Sequence, residues 1–271
     1  MRLTLYGYFF ALSIPILSFV FSQPALAETP ALKIGIVVMH GKGGAPSKIV
    51  ADLASGLAQQ GYLVSNLDMP WSGHRQYDVP VSVAESEVET ALSGLRKQGA
   101  QKVFVAGHSQ GGVFALYFGT KHTVDGIIAI APGGSSNSMI FREKLGPSVD
   151  KARKLIADDQ GEVRVSLTDF EGSKGSFPVI TTPLAYLSWF DPEGAMNQTK
   201  SVQNMNPTTP VLFIAPSNDY PGLLKMKQKM FDALPKPTGT KLYEPNSSHL
   251  DAPTASTQEI ITWTSSIATA H

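Results

Sequence analysis

Three residues whose types can make a nucleophile together follow one another along this chain. A serine stands in Gly107-His108-Ser109-Gln110-Gly111-Gly112, an aspartate in Pro216-Ser217-Asn218-Asp219-Tyr220, and a histidine in Asn246-Ser247-Ser248-His249-Leu250. A serine hydroxyl attacks poorly until a base takes its proton. The base in turn needs an acid to hold its tautomer and to stabilise its charged form. Ser109 lies in a G-x-S-x-G string directly after an apolar, strand-like run and directly before an apolar, helix-like one. In that context the serine sits on a sharp strand-to-helix turn with its hydroxyl at the top of the sheet. The flanking glycines leave room where backbones approach. The positive end of the following helix favours developing negative charge. Outside that context the same string is an ordinary glycine-rich turn.

Six histidines are candidates for the base. His108 is inside the turn and cannot fold back on Ser109. His122 ends a helix on the far side of the sheet, and His271 is the terminus. His40 and His74 lie upstream. His249 follows the last strand and emerges at the same sheet edge as Ser109, so it is the expected base; otherwise it is a solvated loop histidine. Asp219 is the carboxylate in the loop after the fifth strand, and the order Ser109, Asp219, His249 suits an elbow of this kind. The competing role for Asp219 is a helix N-cap. Asp251 is too close to His249 in sequence to be a comfortable partner, and Asp191 is a fallback.

An acyl-transfer reaction also needs donors for its oxyanion. One is expected from the backbone N–H of Gln110. The other is expected from the loop His40-Gly41-Lys42-Gly43-Gly44, with the Lys42 N–H preferred and Gly41 its neighbour. The plainer reading is a loop whose glycines merely permit a turn.

The elements that must hold these residues alternate. Short apolar, β-branched runs read as strands at residues 32–39, 62–69, 101–106, 126–131, 210–215 and 241–244. Helical spacing reads at residues 47–60, 83–98, 111–122, 222–234 and 257–269, with Gly61 and Gly99 stopping the first two. Strand–helix alternation predicts an α/β fold with a doubly wound, mostly parallel sheet of about six core strands. Between the fourth and fifth strands lies an insertion, about residues 133–209, too long for a loop. It is expected to carry a helix near residues 149–158 and to form a cap over the carboxyl ends of the strands, where ligands bind in such sheets. Its Tyr186, Trp189 and Phe190 would line an acyl pocket or seal the cap to the core. His74 and Arg75, after the second strand, would bind a polar or anionic substrate group or simply sit in a solvated loop.

Composition narrows the field. The 271 residues carry 22 Lys+Arg and 22 Asp+Glu, a net charge of +0 without basic blocks, which gives no electrostatic footprint for nucleic acid. Cysteine is absent, which excludes disulfides, cysteine nucleophiles and thiolate metal sites. No metal-ligand spacing or phosphate loop is evident, so no cofactor is expected. The N-terminus has Arg2, an apolar run over residues 3–21, and Ala25-Leu26-Ala27. That is a secretory signal, cleaved after Ala27, leaving residues 28–271 as a single domain. The rival is a retained anchor, against which Pro15 interrupts the run. Cleavage implies a periplasmic or secreted protein with no membrane attachment.

On these residues the chain resembles the α/β-hydrolase superfamily. The likeness rests on His40-Gly41, the elbow around Ser109, Asp219 after the fifth strand and His249 after the sixth. It covers most of the chain from about residue 32, and lacks the two extra N-terminal strands of larger members, which places it beside the compact, dienelactone-hydrolase-like or acyl-esterase types. The resemblance implies acyl transfer to water by a serine hydrolase acting on a small-molecule carboxylic ester. An acyltransferase or a peptidase would use the same residues. A binding or accessory protein on a hydrolase scaffold is the reading from a different class.

Overall fold

The computed structural model describes residues 1–4, 7 and 32–270. The expected leader, residues 1–27, lies almost wholly outside the described residues, as does the choice between cleavage and anchoring. The chain divides into Met1–Ala31 and Leu32–His271, and the second unit carries every strand and helix named below. Among the described residues no helix is long and apolar enough to cross a membrane.

In chain order the elements are β1 (Ile34–Met39), α1 (Ala51–Gln59), β2 (Leu63–Leu67), α2 (Val81–Lys97), β3 (Lys102–His108), α3 (Gln110–Phe118) and β4 (Gly126–Ile130). There follow α4 (Met139–Ala157), β5 (Val165–Glu171), β6 (Gly175–Thr181), α5 (Pro183–Phe190) and α6 (Gln198–Gln203). The chain closes with β7 (Val211–Ile214), α7 (Pro221–Asp232), β8 (Lys241–Tyr243), α8 (Ala252–Ala255) and α9 (Thr257–Thr269). Six strands form one sheet in the order β2-β1-β3-β4-β7-β8. Every neighbouring pair is parallel.

The period of two along the strands sorts the core into two halves. Ile36, Val38, Phe104, Ile128 and Leu212 meet Leu53 and Leu57 of α1 and Ile260 and Trp263 of α9. Val37, Val105, Ile127 and Phe213 face α2, α3 and the insertion. Both faces are covered, which is why the strands read as near-continuous apolar runs. The strand order reverses between β1 and β3, so the crevice for a ligand opens at their carboxyl ends. Those ends carry His40-Gly41-Lys42 and Ser109.

The insertion between β4 and β7 is richer than expected. Its helix α4 begins at Met139, ten residues before the position read from sequence, and runs through Pro147. A proline inside a helix forgoes one backbone bond. Burial of Phe141, Leu145, Val149 and Ala152 on one face overrides that local signal. An antiparallel hairpin, β5–β6, follows with Glu171 opposite Gly175. The sequence pattern indicates neither of its strands.

Aromatic rings join the insertion to α3 and to the loop after β2. Trp189 of α5 packs 5.6 Å from both Trp71 and Phe114, which are themselves 5.3 Å apart. Phe114 is fully buried at the junction. Phe114→Ala is expected to lower the unfolding free energy by about 3–5 kcal/mol in urea titration. Val83→Ala, on the exposed side of α2, is the control and should stay within about 0.5 kcal/mol.

Candidate active site

The chain leaves β3 at His108 and enters α3 at Gln110, so a single residue makes the turn. Ser109 takes φ 54° and ψ −115°, and its side chain does not cap the helix that it precedes. A non-glycine residue at positive φ is strained, and that conformation aims the hydroxyl away from the helix. Neighbouring glycines make the turn possible. A Cβ on Gly107 would stand 2.0 Å from the Gly111 carbonyl oxygen, and one on Gly111 would stand 2.7 Å from that of His40. The Ser109 N–H donates to the Ile130 carbonyl (2.9 Å), tying the turn to β4.

Asp219 and His249 come from the loops after β7 and β8, and these loops are zipped together. The parallel pairing of β7 and β8 extends into an isolated bridge between Asn218 and Ser248. The Ser217 N–H donates to the Pro245 carbonyl (2.9 Å) and the Asn218 N–H to that of Ser247 (3.1 Å). This sets His249 Nδ1 2.7 Å from Asp219 Oδ1 and His249 Nε2 3.0 Å from Ser109 Oγ. Asp219 and His249 are 8% and 7% exposed, so little water competes for these bonds. A carboxylate accepts only, so Nδ1 carries the proton and Nε2 is left to accept from the serine hydroxyl. Asp219 Oδ1 also accepts from the Tyr220 N–H (2.6 Å). Asp251 accepts from Ser248 Oγ instead (2.6 Å), and Asp191 is paired with Arg153 (3.2 Å).

The loop after β1 closes the other side. A Cβ on Gly41 would lie 3.1 Å from Ser109 Cβ, so the loop passes directly against Ser109. His40 fixes it. Its Nδ1–H donates to the Gly41 carbonyl (2.8 Å), and its Nε2 accepts from the Met69 N–H (3.0 Å). Burial lowers the His40 pKa, which suits this neutral tautomer. Gln110 is the first residue of α3, so its N–H has no carbonyl one turn back within the helix.

The residues expected to touch substrate fare differently. Tyr186 and Trp189 are fully buried and do not line an open pocket. Tyr186 Oη donates to the Thr168 carbonyl (2.5 Å) and Trp189 Nε1 to that of Val79 (2.8 Å). A large aromatic with one polar atom is buried readily once that atom is satisfied, and these two hold the insertion to the core. His74 is 72% exposed at its side chain and pairs with Asp68 (2.8 Å). Arg75 is committed to Glu87 and Asp78. Among the described residues no group of three or more acidic, histidine or cysteine side chains is arranged to hold a metal.

Sequence reasoning sets His108 aside because it cannot reach Ser109. In the structure its Nε2–H donates to the His249 carbonyl (2.9 Å), and its ring lies 5.0 Å from the His249 ring. Tyr220 flanks that ring at 4.6 Å. His108 therefore supports His249 through its backbone. Its place next to Ser109 at the end of a central strand is the signal that the sequence offers for this role.

Comparison with known proteins agrees with this architecture. The family model described as serine aminopeptidase, S33, matches residues 31–168. Among curated proteins, the esterase EstD of Thermotoga maritima is 24% identical over 121 residues, which is 41% of this chain and 29% of that protein. The match thus spans under a third of that relative's length. Among solved structures, the α/β hydrolase GrgF from Penicillium sp. sh18 aligns over 87% of this chain and 89% of its own, with TM-score 0.65 and 16% identity. A thermostable carboxyl esterase from Bacillus coagulans aligns over 87% and 90%, with TM-score 0.61 and 15% identity. The monoacylglycerol lipase of Paleococcus ferrophilus aligns over 86% and 94%, with TM-score 0.59 and 19% identity. At such identities the structural likeness is one of fold.

Burial pushes the His108 pKa down to about 4, with the neighbouring His249 adding to the effect. The unfolded chain takes up a proton at this histidine near pH 6.5 and the folded chain does not until about pH 4. Its contribution to stability is therefore whole above about pH 6.5 and is lost as the pH falls toward about 4. His108→Gln should lose less unfolding free energy than the parent between about pH 7 and pH 5, by about 2 kcal/mol. Parallel stability curves for the two proteins would count against a neutral, buried His108.

Proposed function

We propose that this chain, which belongs to the serine aminopeptidase S33 family of α/β-hydrolases, is an exported serine hydrolase of carboxylic esters working through Ser109, His249 and Asp219. The observation that carries the reading is the continuous hydrogen-bonded line from Asp219 Oδ1 through His249 to Ser109 Oγ, at 2.7 and 3.0 Å. Both separations lie within the reach that proton transfer requires.

Ser109 Oγ attacks the ester carbonyl carbon as its proton passes to His249 Nε2. Asp219 keeps the ring oriented and stabilises the imidazolium that forms. The carbonyl oxygen, now an oxyanion, is held by the N–H groups of Gln110 and Lys42. Such donors are often the largest single contribution to the rate, and removing one costs about 10²–10³-fold. His249 then gives its proton to the departing alcohol. Water, deprotonated by the same nitrogen, releases the acid from Ser109. Each step uses side chains and backbone of this chain, and the bond broken is the ester C–O bond. An ester substrate is also what the names of EstD and of the lipase and esterase structures suggest.

The leader in residues 1–27 makes the working protein residues 28–271, in the periplasm or outside the cell. N-terminal sequencing of the exported protein should begin at Glu28; a start at Met1 in the membrane fraction would favour an anchor.

Purified residues 28–271 are expected to turn over p-nitrophenyl esters between acetate and palmitate. Ser109→Ala should lower the rate at least about 10³-fold. Turnover unchanged in Ser109→Ala would overturn the reading. Hydrolysis of aminoacyl p-nitroanilides at comparable rates would shift it to a peptidase, and faster ester turnover with an added alcohol would shift it to a transferase.

A further inference from the structure

Lys42 stands in the loop after β1 and Gln110 at the start of α3, and the backbone N–H of each is assigned to the oxyanion. Their side chains end in one buried cluster. Lys42 Nζ donates to Asp169 Oδ1 (2.5 Å) and to the Phe170 carbonyl (3.0 Å). It also lies 5.3 Å from the centre of the Phe141 ring and 5.5 Å from that of Phe190. Tyr77 Oη stands 2.9 Å from Asp169 Oδ2 and 3.2 Å from the Gln110 side-chain amide. Asp169 is 0% exposed, and Tyr77 and Gln110 are 2% exposed. Tyr77 has a single proton, and the charged carboxylate is the stronger acceptor for it. The Gln110 amide, whose two ends are interchangeable by a half-turn, then donates its NH2 to the Tyr77 oxygen.

We infer that Asp169, in the cap strand β5, is a positioning residue for the oxyanion hole: through Lys42 on one side and Tyr77–Gln110 on the other, it sets the separation of the two backbone donors. The inference rests on the ester-hydrolase reading. Three observations support it. First, a buried ion pair is a poor device for stability alone, because desolvation offsets most of the attraction. Here it joins the insertion to one oxyanion loop. Second, Gln76 and Tyr77 both take positive φ, 50° and 57°. Two successive non-glycine residues in that region are strained and persist only where the surroundings over-determine them. β6 supplies the restraint, since the Ile180 N–H donates to Gln76 Oε1 (3.1 Å) and Thr181 Oγ1 donates to the Tyr77 carbonyl (2.5 Å). Third, both carboxylate oxygens of Asp169 are engaged: Oδ1 accepts from the Phe170 N–H (2.6 Å) as well as from Lys42, and Oδ2 from Tyr77. The insertion thereby fixes the loop after β1 and the first turn of α3, whose N–H groups meet the reacting oxygen.

The decisive variant is Asp169→Asn, which keeps the shape and the Tyr77 contact but leaves the ammonium of Lys42 without its counter-charge. Tyr77→Phe is the second variant; it leaves the Lys42–Asp169 pair in place and removes the hydroxyl that links Asp169 Oδ2 to the Gln110 side chain. Three quantities are read in each, beside circular dichroism and Tm: the rate of labelling by a fluorophosphonate, kcat and KM for the best p-nitrophenyl ester, and the affinity for phenylboronic acid. Labelling and boronate binding both place an oxygen in the hole, whereas KM reports binding elsewhere. A misplacement on the order of 1 Å at such a site costs about 10²-fold. Asp169→Asn should label and turn over roughly tenfold to hundredfold more slowly, with boronate affinity falling in step and KM moving less than about threefold. Tyr77→Phe should do the same to a smaller degree, at least about threefold. Unchanged labelling and boronate affinity in a folded variant, or a loss confined to KM, overturns the inference. Should Asp169→Asn fail to fold, Tyr77→Phe decides by the same readouts. Ester turnover that survives Ser109→Ala sinks the underlying hydrolase reading instead, and absence of labelling in the parent sinks both.

Discussion

The backbone of Ser109 is the constraint on which the rest of this structure depends. A residue with φ 54° between a parallel strand and a helix costs on the order of 1–3 kcal/mol and would relax if its surroundings allowed it. They do not. Gly107 and Gly111 meet backbone so closely that no side chain fits at either. β3 lies between β1 and β4, and its register carries His108 opposite Ile130. The strain is thus held by the central sheet, and what it achieves is exposure of one hydroxyl at the point where the strand order reverses.

Three further loops then converge on that hydroxyl, each by a local device. The β7–β8 pairing continues past both strands and brings Asp219 beside His249. His108 holds the His249 carbonyl from below. His40 shapes the loop after β1 from within. Two of these histidines have pKa values lowered by burial and act as neutral hydrogen-bonding groups. In a chain of net charge +0, the charges that matter at the site are local and paired. Lys42 and Asp169 neutralise each other beneath the loop after β1. In the proposed mechanism the backbone dipoles are left to meet the reacting oxygen.

Much of this is legible in the sequence, for physical reasons that also mark the limits. The inner strands β1, β3, β4 and β7 are covered on both faces and so read as apolar runs bounded by turns, while the edge strands β2 and β8 are only partly buried. Ser109 and Asp219 follow such runs and His249 follows the short edge strand β8, and the structure places His249 within hydrogen-bonding distance of both others. The insertion is harder to read. Its hairpin has one face half-exposed, and its residues alternate too weakly to announce strands. α4 crosses a proline because burial of its apolar face outweighs one missing bond. Tyr186 and Trp189 cannot be divided between pocket and core without knowing what packs above them. Asp169 leaves one usable trace: it continues the inward positions Val165 and Leu167, and a carboxylate on an inward face needs a partner. That the partner is Lys42, 127 residues away, is a tertiary fact.

The central claim is that Ser109 Oγ is the atom that accepts the acyl group. The direct measurement is intact and peptide mass spectrometry of residues 28–271, acid-quenched within the first turnovers of a p-nitrophenyl ester. The mechanism predicts a mass increase equal to the acyl group less one hydrogen, located on the peptide that contains Ser109, and its disappearance on longer incubation. An ester consumed at full rate with no adduct at early times in a fast-acylating, slow-deacylating substrate, or with an adduct on another residue, would contradict it.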